Sequence, residues 1–142
     1  MPGRETMFPA FDVSTSALVA QRMRLNAISS NLANIATTRN EYGEPEAYSP
    51  RYVTFQADAD LTTSAGGMGV KVSSVDQSKA PPLMKFEPGH PDANADGYVA
   101  YPNVDMTTEF VDALEATRAY EANIGVLEIT KDMGQRTLQI IA

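Results

Sequence analysis

Along the first quarter of the chain Phe11, Leu18, Leu25 and Leu32 recur every seven residues, with Ile28 and Ile35 three positions after the last two. This spacing gathers apolar side chains on one helical face and forms a heptad seam. It predicts a helix from about residue 13 to about residue 36, with Asp12 or Ser14 supplying the N-cap oxygen. Thr37-Thr38 and the turn-forming Arg39-Asn40 stand where the pattern stops. Asn31 and Asn34 lie beside Leu32 and Ile35, where their amides are expected to fix helix register through hydrogen bonds between helices. The competing reading is two exposed polar residues.

The last segment carries a second helical pattern. Phe110, Leu114, Tyr120, Ile124, Leu127, Leu138 and Ile141 broadly follow three-to-four spacing, interleaved with Ala113, Ala116, Ala119 and Ala122. Such small residues permit close approach by a neighbouring helix. Asp105, Glu109, Asp112 and Glu115 gather near the start, and Lys131 and Arg136 near the end, the arrangement a helix dipole favours. Asp132 and Arg136 are spaced for an i,i+4 pair. Gly125 and Gly134 each cost about 1 kcal/mol relative to Ala in a helix interior and predict a bend or a frayed end.

Between these segments, residues 39–103 hold seven of the nine Pro and six of the nine Gly. Tyr48–Gln56, Gly69–Val75, Leu83–Glu87 and Tyr98–Tyr101 are short runs rich in β-branched or aromatic residues, separated by Ala65-Gly66-Gly67 and Pro-rich turns. A small antiparallel β unit follows. The expected fold is α+β, with long N- and C-terminal helices forming a coiled-coil layer and a small β-rich middle domain. Its divisions are a flexible segment 1–10, helix regions 11–38 and 104–142, and the middle domain 39–103. Helices of roughly 36 and 57 Å, at about 1.5 Å per residue, outrun what the middle can cover. Their stripes must meet each other or neighbouring subunits, and the termini of an isolated subunit are expected to be partly disordered until assembly.

Composition narrows the classes. The 142 residues suit one core, and 43% hydrophobic with 20% charged residues argues for a folded chain. Eleven Lys and Arg against eighteen Asp and Glu leave a net charge of -7, opposite to what a nucleic-acid backbone attracts. The absence of cysteine excludes disulfides, thiolate metal sites and a Cys nucleophile. No run of about 18 apolar residues suggests membrane insertion. The start lacks an apolar signal region, so export is expected to bypass a cleaved Sec signal.

Candidate chemistry is sparse. Asp92-Ala-Asn94-Ala-Asp96-Gly97 fits the opening half of a calcium loop, where oxygens at alternate positions surround the ion. The twelfth position, which needs a bidentate Glu, is Asn103. A calcium-regulated binding module using Asp92, Asn94 and Asp96 is therefore the alternative reading, against a solvated turn. His90, the sole histidine, sits in a Pro-Gly turn without a local partner. Ser29-Ser30 lacks a nucleophile elbow, and Gly66-Gly67-Met68-Gly69 lacks the Lys and helix of a phosphate loop. No set of acid, base and nucleophile converges, so neither an enzyme nor a cofactor is expected.

Ser16-Ala-Leu-Val-Ala20 and Ile28-Ser-Ser-Asn-Leu-Ala-Asn-Ile-Ala-Thr37-Thr38 together resemble the amino-terminal signature of the bacterial flagellar rod and hook proteins. Pro88 through Val104 and Glu115-Ala-Thr-Arg-Ala-Tyr-Glu-Ala-Asn123 resemble its proximal-rod branch, leaving only about residues 57–80 without a distinctive match. Leu32 stands where that family often has Ile, and Gly125 and Gly134 where it has bulkier residues. The resemblance implies a non-enzymatic axial subunit of the basal-body rod, a drive shaft that transmits torque. It implies passage through the flagellar type III export apparatus and assembly in the periplasm with copies of itself, the rod proteins FlgB, FlgF and FlgG, and the rod-base protein FliE. It places Ser30, Asn31, Leu32, Ala33, Asn34 and Ile35 in one packing motif, and Glu115, Arg118, Tyr120, Glu121 and Asn123 in its carboxy-terminal counterpart. With the helical patterns, the expected assembly interface comprises Leu18, Leu25, Ile28, Asn31, Leu32, Asn34, Ile35, Leu114, Arg118, Tyr120, Asn123, Ile124 and Leu127.

Overall fold

Both terminal patterns fold as helices with a β-rich stretch between them, so the chain is α+β. The computed structural model describes residues 9–141. Most of the segment expected to be flexible, residues 1–8, lies outside the described residues. Helix α1 spans Pro9–Ala33 and helix α2 spans Met106–Ile141. Strands β1 (Arg51–Thr62), β2 (Met68–Gln77), β3 (Leu83–Phe86) and β4 (Tyr98–Tyr101) lie between.

Helix α1 is displaced from its expected bounds. Pro9 is helical, its fixed φ and missing N–H being suited to a first turn. Asp12 and Ser14 consequently sit inside the helix and are not its cap, and Ser14 is buried. The helix ends at Ala33 because the Asn34 side chain takes over its last turn: Asn34 Nδ2 donates to the Ser30 carbonyl at 2.8 Å, and Thr37 Oγ1 donates to Asn34 Oδ1 at 3.1 Å.

Helix α2 is started by Asp105. Its Oδ1 accepts the Thr107 N–H at 2.9 Å, and Thr108 Oγ1 donates to Oδ2 at 3.0 Å. The helix is continuous through Gly125 and Gly134 to Ile141, without the expected fraying. Neither glycine is crowded. No basic residue occupies the last turn, so Lys131 and Arg136 stand too far from the final carbonyls to complement them. Asp132 and Arg136 form no ion pair among the described residues.

The four strands make two separate antiparallel hairpins, β1-β2 and β3-β4. In the first, Arg51 pairs with Gln77 and Asp58 with Gly69, and register shifts bend the ladder after Thr54 and again after Asp58. Both its strands pack on α1. Gly69 is required there, since a Cβ would stand 2.8 Å from Leu61 Cβ and 3.2 Å from Ser16 Oγ. Ser16 Oγ in turn accepts the Val70 N–H at 3.0 Å, fastening the hairpin to α1. In the second hairpin Leu83 pairs with Tyr101 and Phe86 with Tyr98.

The core is small: Ala20, Ile28, Val99, Val104 and Ala116 are the buried apolar residues among those described. Ala116 is 0% exposed, whereas Leu114, which the sequence pattern favours, is 61% exposed. Ala116→Leu should therefore destabilise the subunit by about 1–3 kcal/mol through overpacking, and Leu114→Ala by no more than about 0.5 kcal/mol. Denaturant unfolding followed by circular dichroism checks that ranking.

Candidate functional site

The Asn31 amide, 0% exposed, is the meeting point of α1, β1 and α2. Its Nδ2 donates to the Arg51 carbonyl at 2.9 Å, and its Oδ1 accepts the Arg51 N–H at 2.8 Å. The amide thus extends the β1 backbone ladder into the helix. Tyr48 donates its hydroxyl to the same Oδ1 at 3.1 Å. With that proton committed, the 3.2 Å contact between Ser30 Oγ and Tyr48 Oη has Ser30 as donor. The second Nδ2 proton points between the two Glu109 carboxylate oxygens, each 3.3 Å away. Two donors and two acceptor positions exhaust what an amide offers, so this buried group carries no unpaired polar atom.

Glu109 is 4% exposed, and burial pushes its carboxyl above the ordinary range. Asn31 opposes that rise through its hydrogen bond, while the Asp112 charge adds to it. About two turns back along α1, Arg24 reaches to Asp112 at 3.4 Å and Glu115 at 3.3 Å on α2. Asn31 opposite Glu109, and Arg24 opposite Asp112 and Glu115, set the helices antiparallel. Tyr52 on β1 closes the cluster, its hydroxyl pKa raised by burial and by the charges of Glu109 and Asp112.

Of the expected interface residues, Asn31 and Ile28 are buried within the subunit. Leu18, Leu25, Leu32, Ile35, Tyr120, Asn123 and Leu127 are half-buried. Leu114, Arg118 and Ile124 are exposed. Asn34 makes no bond to another helix; its amide is used within its own turn. Asn123 likewise donates to the Ala119 carbonyl at 2.7 Å. Sequence reasoning assigned Glu109 to the dipole and passed over Arg24 and Tyr48. The line Glu109, Ala116, Asn123, at seven-residue spacing, is the signal that marks the inner face of α2.

Within the half-loop Asp92-Asn94-Asp96, the side-chain oxygens of Asp92 and Asn94 are taken by protein groups. Thr38 Oγ1 donates to Asp92 Oδ2 at 2.8 Å and Arg39 Nε to Oδ1 at 2.6 Å, while the Asp92 N–H donates to His90 Nδ1 at 3.1 Å. Burial raises the Asp92 carboxyl, but the Thr38 hydroxyl and the Arg39 guanidinium outweigh it and hold the pKa below the ordinary value. Asn94 Oδ1 accepts the N–H groups of Asp96 and Tyr98, folding its own turn, where Gly97 takes φ +82°. Asp92 thus pins the segment after α1 to the β3-β4 loop. No cluster of three or more His, Asp or Glu side chains suited to a metal occurs among the described residues.

A subunit built around a helix-pairing node, with much apolar helix surface left exposed, fits the class of structural assembly proteins. Both ends bear this out: residues 11–39 match the model of the flagella basal body rod protein, and residues 95–140 that of the flagellar basal body rod FlgEFG protein C-terminal region. The chain is 46% identical to the flagellar basal-body rod protein FlgC of Salmonella typhimurium over 130 residues, covering 92% of this chain and 94% of that one. It is 40% identical to FlgC of Bacillus subtilis, covering 95% and 98%, and 36% identical to FlgC of Borreliella burgdorferi, covering 95% and 97%. The chain belongs to the FlgC family and is a structural subunit of the flagellar basal-body rod. Nothing in these relatives supports the calcium reading.

Two predictions follow from the node's chemistry. Asn31→Ala strands a buried carboxylate and the Arg51 carbonyl, at about 1–3 kcal/mol for each unsatisfied group; chemical denaturation measures the loss. A carboxyl raised in the folded state favours folding while protonated, so its contribution falls as pH climbs from the ordinary value of 4.5 through the raised folded one. Glu109→Gln should remove that component, leaving the variant with a smaller loss of stability than the wild type over the same window. Parallel slopes for the two proteins would contradict it.

Proposed function

We propose that this subunit assembles through its terminal helices into a coiled-coil layer of the rod, joining copies of itself and other rod components and passing torque along the shaft. FlgB, FlgF, FlgG and the rod-base protein FliE are the proposed neighbours, the periplasm is the proposed site of assembly, and the flagellar type III apparatus is the proposed export route. Leu18, Leu25, Ile28, Leu32 and Ile35 hold the frame, and the exposed helix surfaces, Leu114, Arg118 and Ile124 among them, meet neighbouring subunits. The regions 11–38 and 104–142 form the inner layer and 39–103 the outer domain.

The observation that carries this reading is surface area. The subunit exposes 10148 Å², whereas a compact monomer of this mass exposes about 7100 Å². An excess of about 3000 Å² matches several interfaces of about 800 Å² per partner. The exposed apolar residues of α2, from Phe110 to Ile141, contribute to it. Heterologous contacts repeated along an open helical stack would bury that surface without closing into a ring.

Deleting the gene should abolish rod, hook and swimming, with recovery when the wild-type gene is returned; electron microscopy of basal bodies and motility plates read both. In the complemented strain, the double change Leu25→Ala with Leu32→Ala strikes two Leu that are half-buried in the subunit, removing packing that reaches about 2–5 kcal/mol per Leu where assembly completes the burial. It should impair swimming, whereas Asn94→Ala should not. Normal swimming by the double Leu variant would count against the account.

A further inference from the structure

Two exposed rows of side chains on the helices match one another. On α2, Ala122, Val126, Ile129, Met133, Arg136 and Ile140 succeed each other at spacings of four, three, four, three and four residues, and all six are exposed. On α1, Thr15, Val19, Arg22, Asn26, Ser29 and Ala33 show the same succession and the same exposure. Each row is a straight seam along its helix. Neither belongs to the helix–helix contact within the subunit, which on α1 involves Arg24 and Asn31 and on α2 involves Glu109 and Asp112, though Asn26 borders the first hairpin, lining a hollow with Val53 and Val75.

The rows differ in a complementary way. Four of the six in the α2 row are large and apolar, Val126 at 46%, Ile129 63%, Met133 64% and Ile140 86% exposed, with Ala122 and Arg136 completing it. The α1 row is mostly small, and short side chains there leave the hollows into which larger knobs pack. The rows also complement each other in charge. Arg22, a member of the α1 row, forms no ion pair among the described residues, and neither does Asp132, which stands beside the α2 row. If every subunit points the same way along the shaft, α1 of one and α2 of the next run antiparallel, as they do within a subunit. With Ala33 set against Ala122, the equal spacings then bring Ser29 to Val126, Asn26 to Ile129 and Arg22 to Met133, beside Asp132.

We propose that the α2 row of one subunit packs antiparallel onto the α1 row of a second copy of this chain, a heterologous contact that rests on the rod reading above and assigns it specific faces. Gly125 has open space beside it in the subunit, on the edge of the α2 row, where a helix backbone can approach closely. The excess exposed surface is the area such contacts would cover.

The chain has no cysteine, so introduced thiols report contacts cleanly. Ser29→Cys with Val126→Cys, and separately Asn26→Cys with Ile129→Cys, are expressed in the deletion strain, oxidised, and resolved on non-reducing gels. Each double variant should restore swimming and give a ladder of dimers, trimers and higher multimers, because every subunit carries both faces; each single variant should stay monomeric. Dimers from Val126→Cys alone would mean like face against like face and overturn the proposal. Swimming without cross-links in both double variants would overturn it too, while leaving the rod reading intact. Should the thiol variants fail to assemble, the charge exchange Arg22→Asp with Asp132→Arg decides: recovery of swimming lost in either single variant supports the contact, and no recovery overturns it. Normal rods in the deletion strain itself would instead refute the rod reading.

Discussion

One buried amide holds this subunit in register. Asn31 bonds to both backbone groups of Arg51, to the Tyr48 hydroxyl and to the Glu109 carboxylate, so a single side chain sets the height of β1 and α2 against α1. Apolar contacts alone leave helices free to slide, because one seam position packs much like the next. A polar group with every bond filled has one acceptable position, and a shifted register would strand it in a dry interior. Arg24, one or two turns away, adds ion pairs that agree with the same alignment. A partly exposed pair of this kind is worth little energy, and its importance here lies in direction.

Such local fixing suits a subunit with a small core. Ala20, Ile28 and Ala116 let the helices approach, Ser16 and Gly69 fasten the first hairpin, and Asp92 with Thr38 and Arg39 fastens the loop of the second. Each tie joins two elements at a point rather than over a broad apolar face. Much apolar surface consequently remains on the outside, as an assembling subunit requires.

All six elements were legible in the sequence, because the seven-residue seam, the run of alanines and the β-branched stretches between Pro and Gly clusters each have a distinct period. Boundaries were less so: Pro9 admits a helix start ahead of Asp12, and Asn34 ends the helix by turning its amide inward. Asn31 was recognisable as an amide beside a seam, and Asn34 looked equivalent by spacing, but only Asn31 faces β1 and α2. Glu109 escaped notice because an acid near a helix start has a sufficient local explanation, and its burial depends on which face meets α1. Asp92 carried a metal-like spacing, yet its partners, Thr38 and Arg39, lie more than fifty residues away in the chain. The family resemblance supplied the assembly role, which periodicity alone left open.

The most direct test of the node is a double-mutant cycle on the unfolding free energy, using Asn31→Ala, Glu109→Ala and the two together. The account predicts that the changes are strongly non-additive, with a coupling of at least about 0.5 kcal/mol, since each single change leaves the other group buried and unpaired. Additive effects would show that Asn31 and Glu109 act independently, and would contradict a register set by their contact.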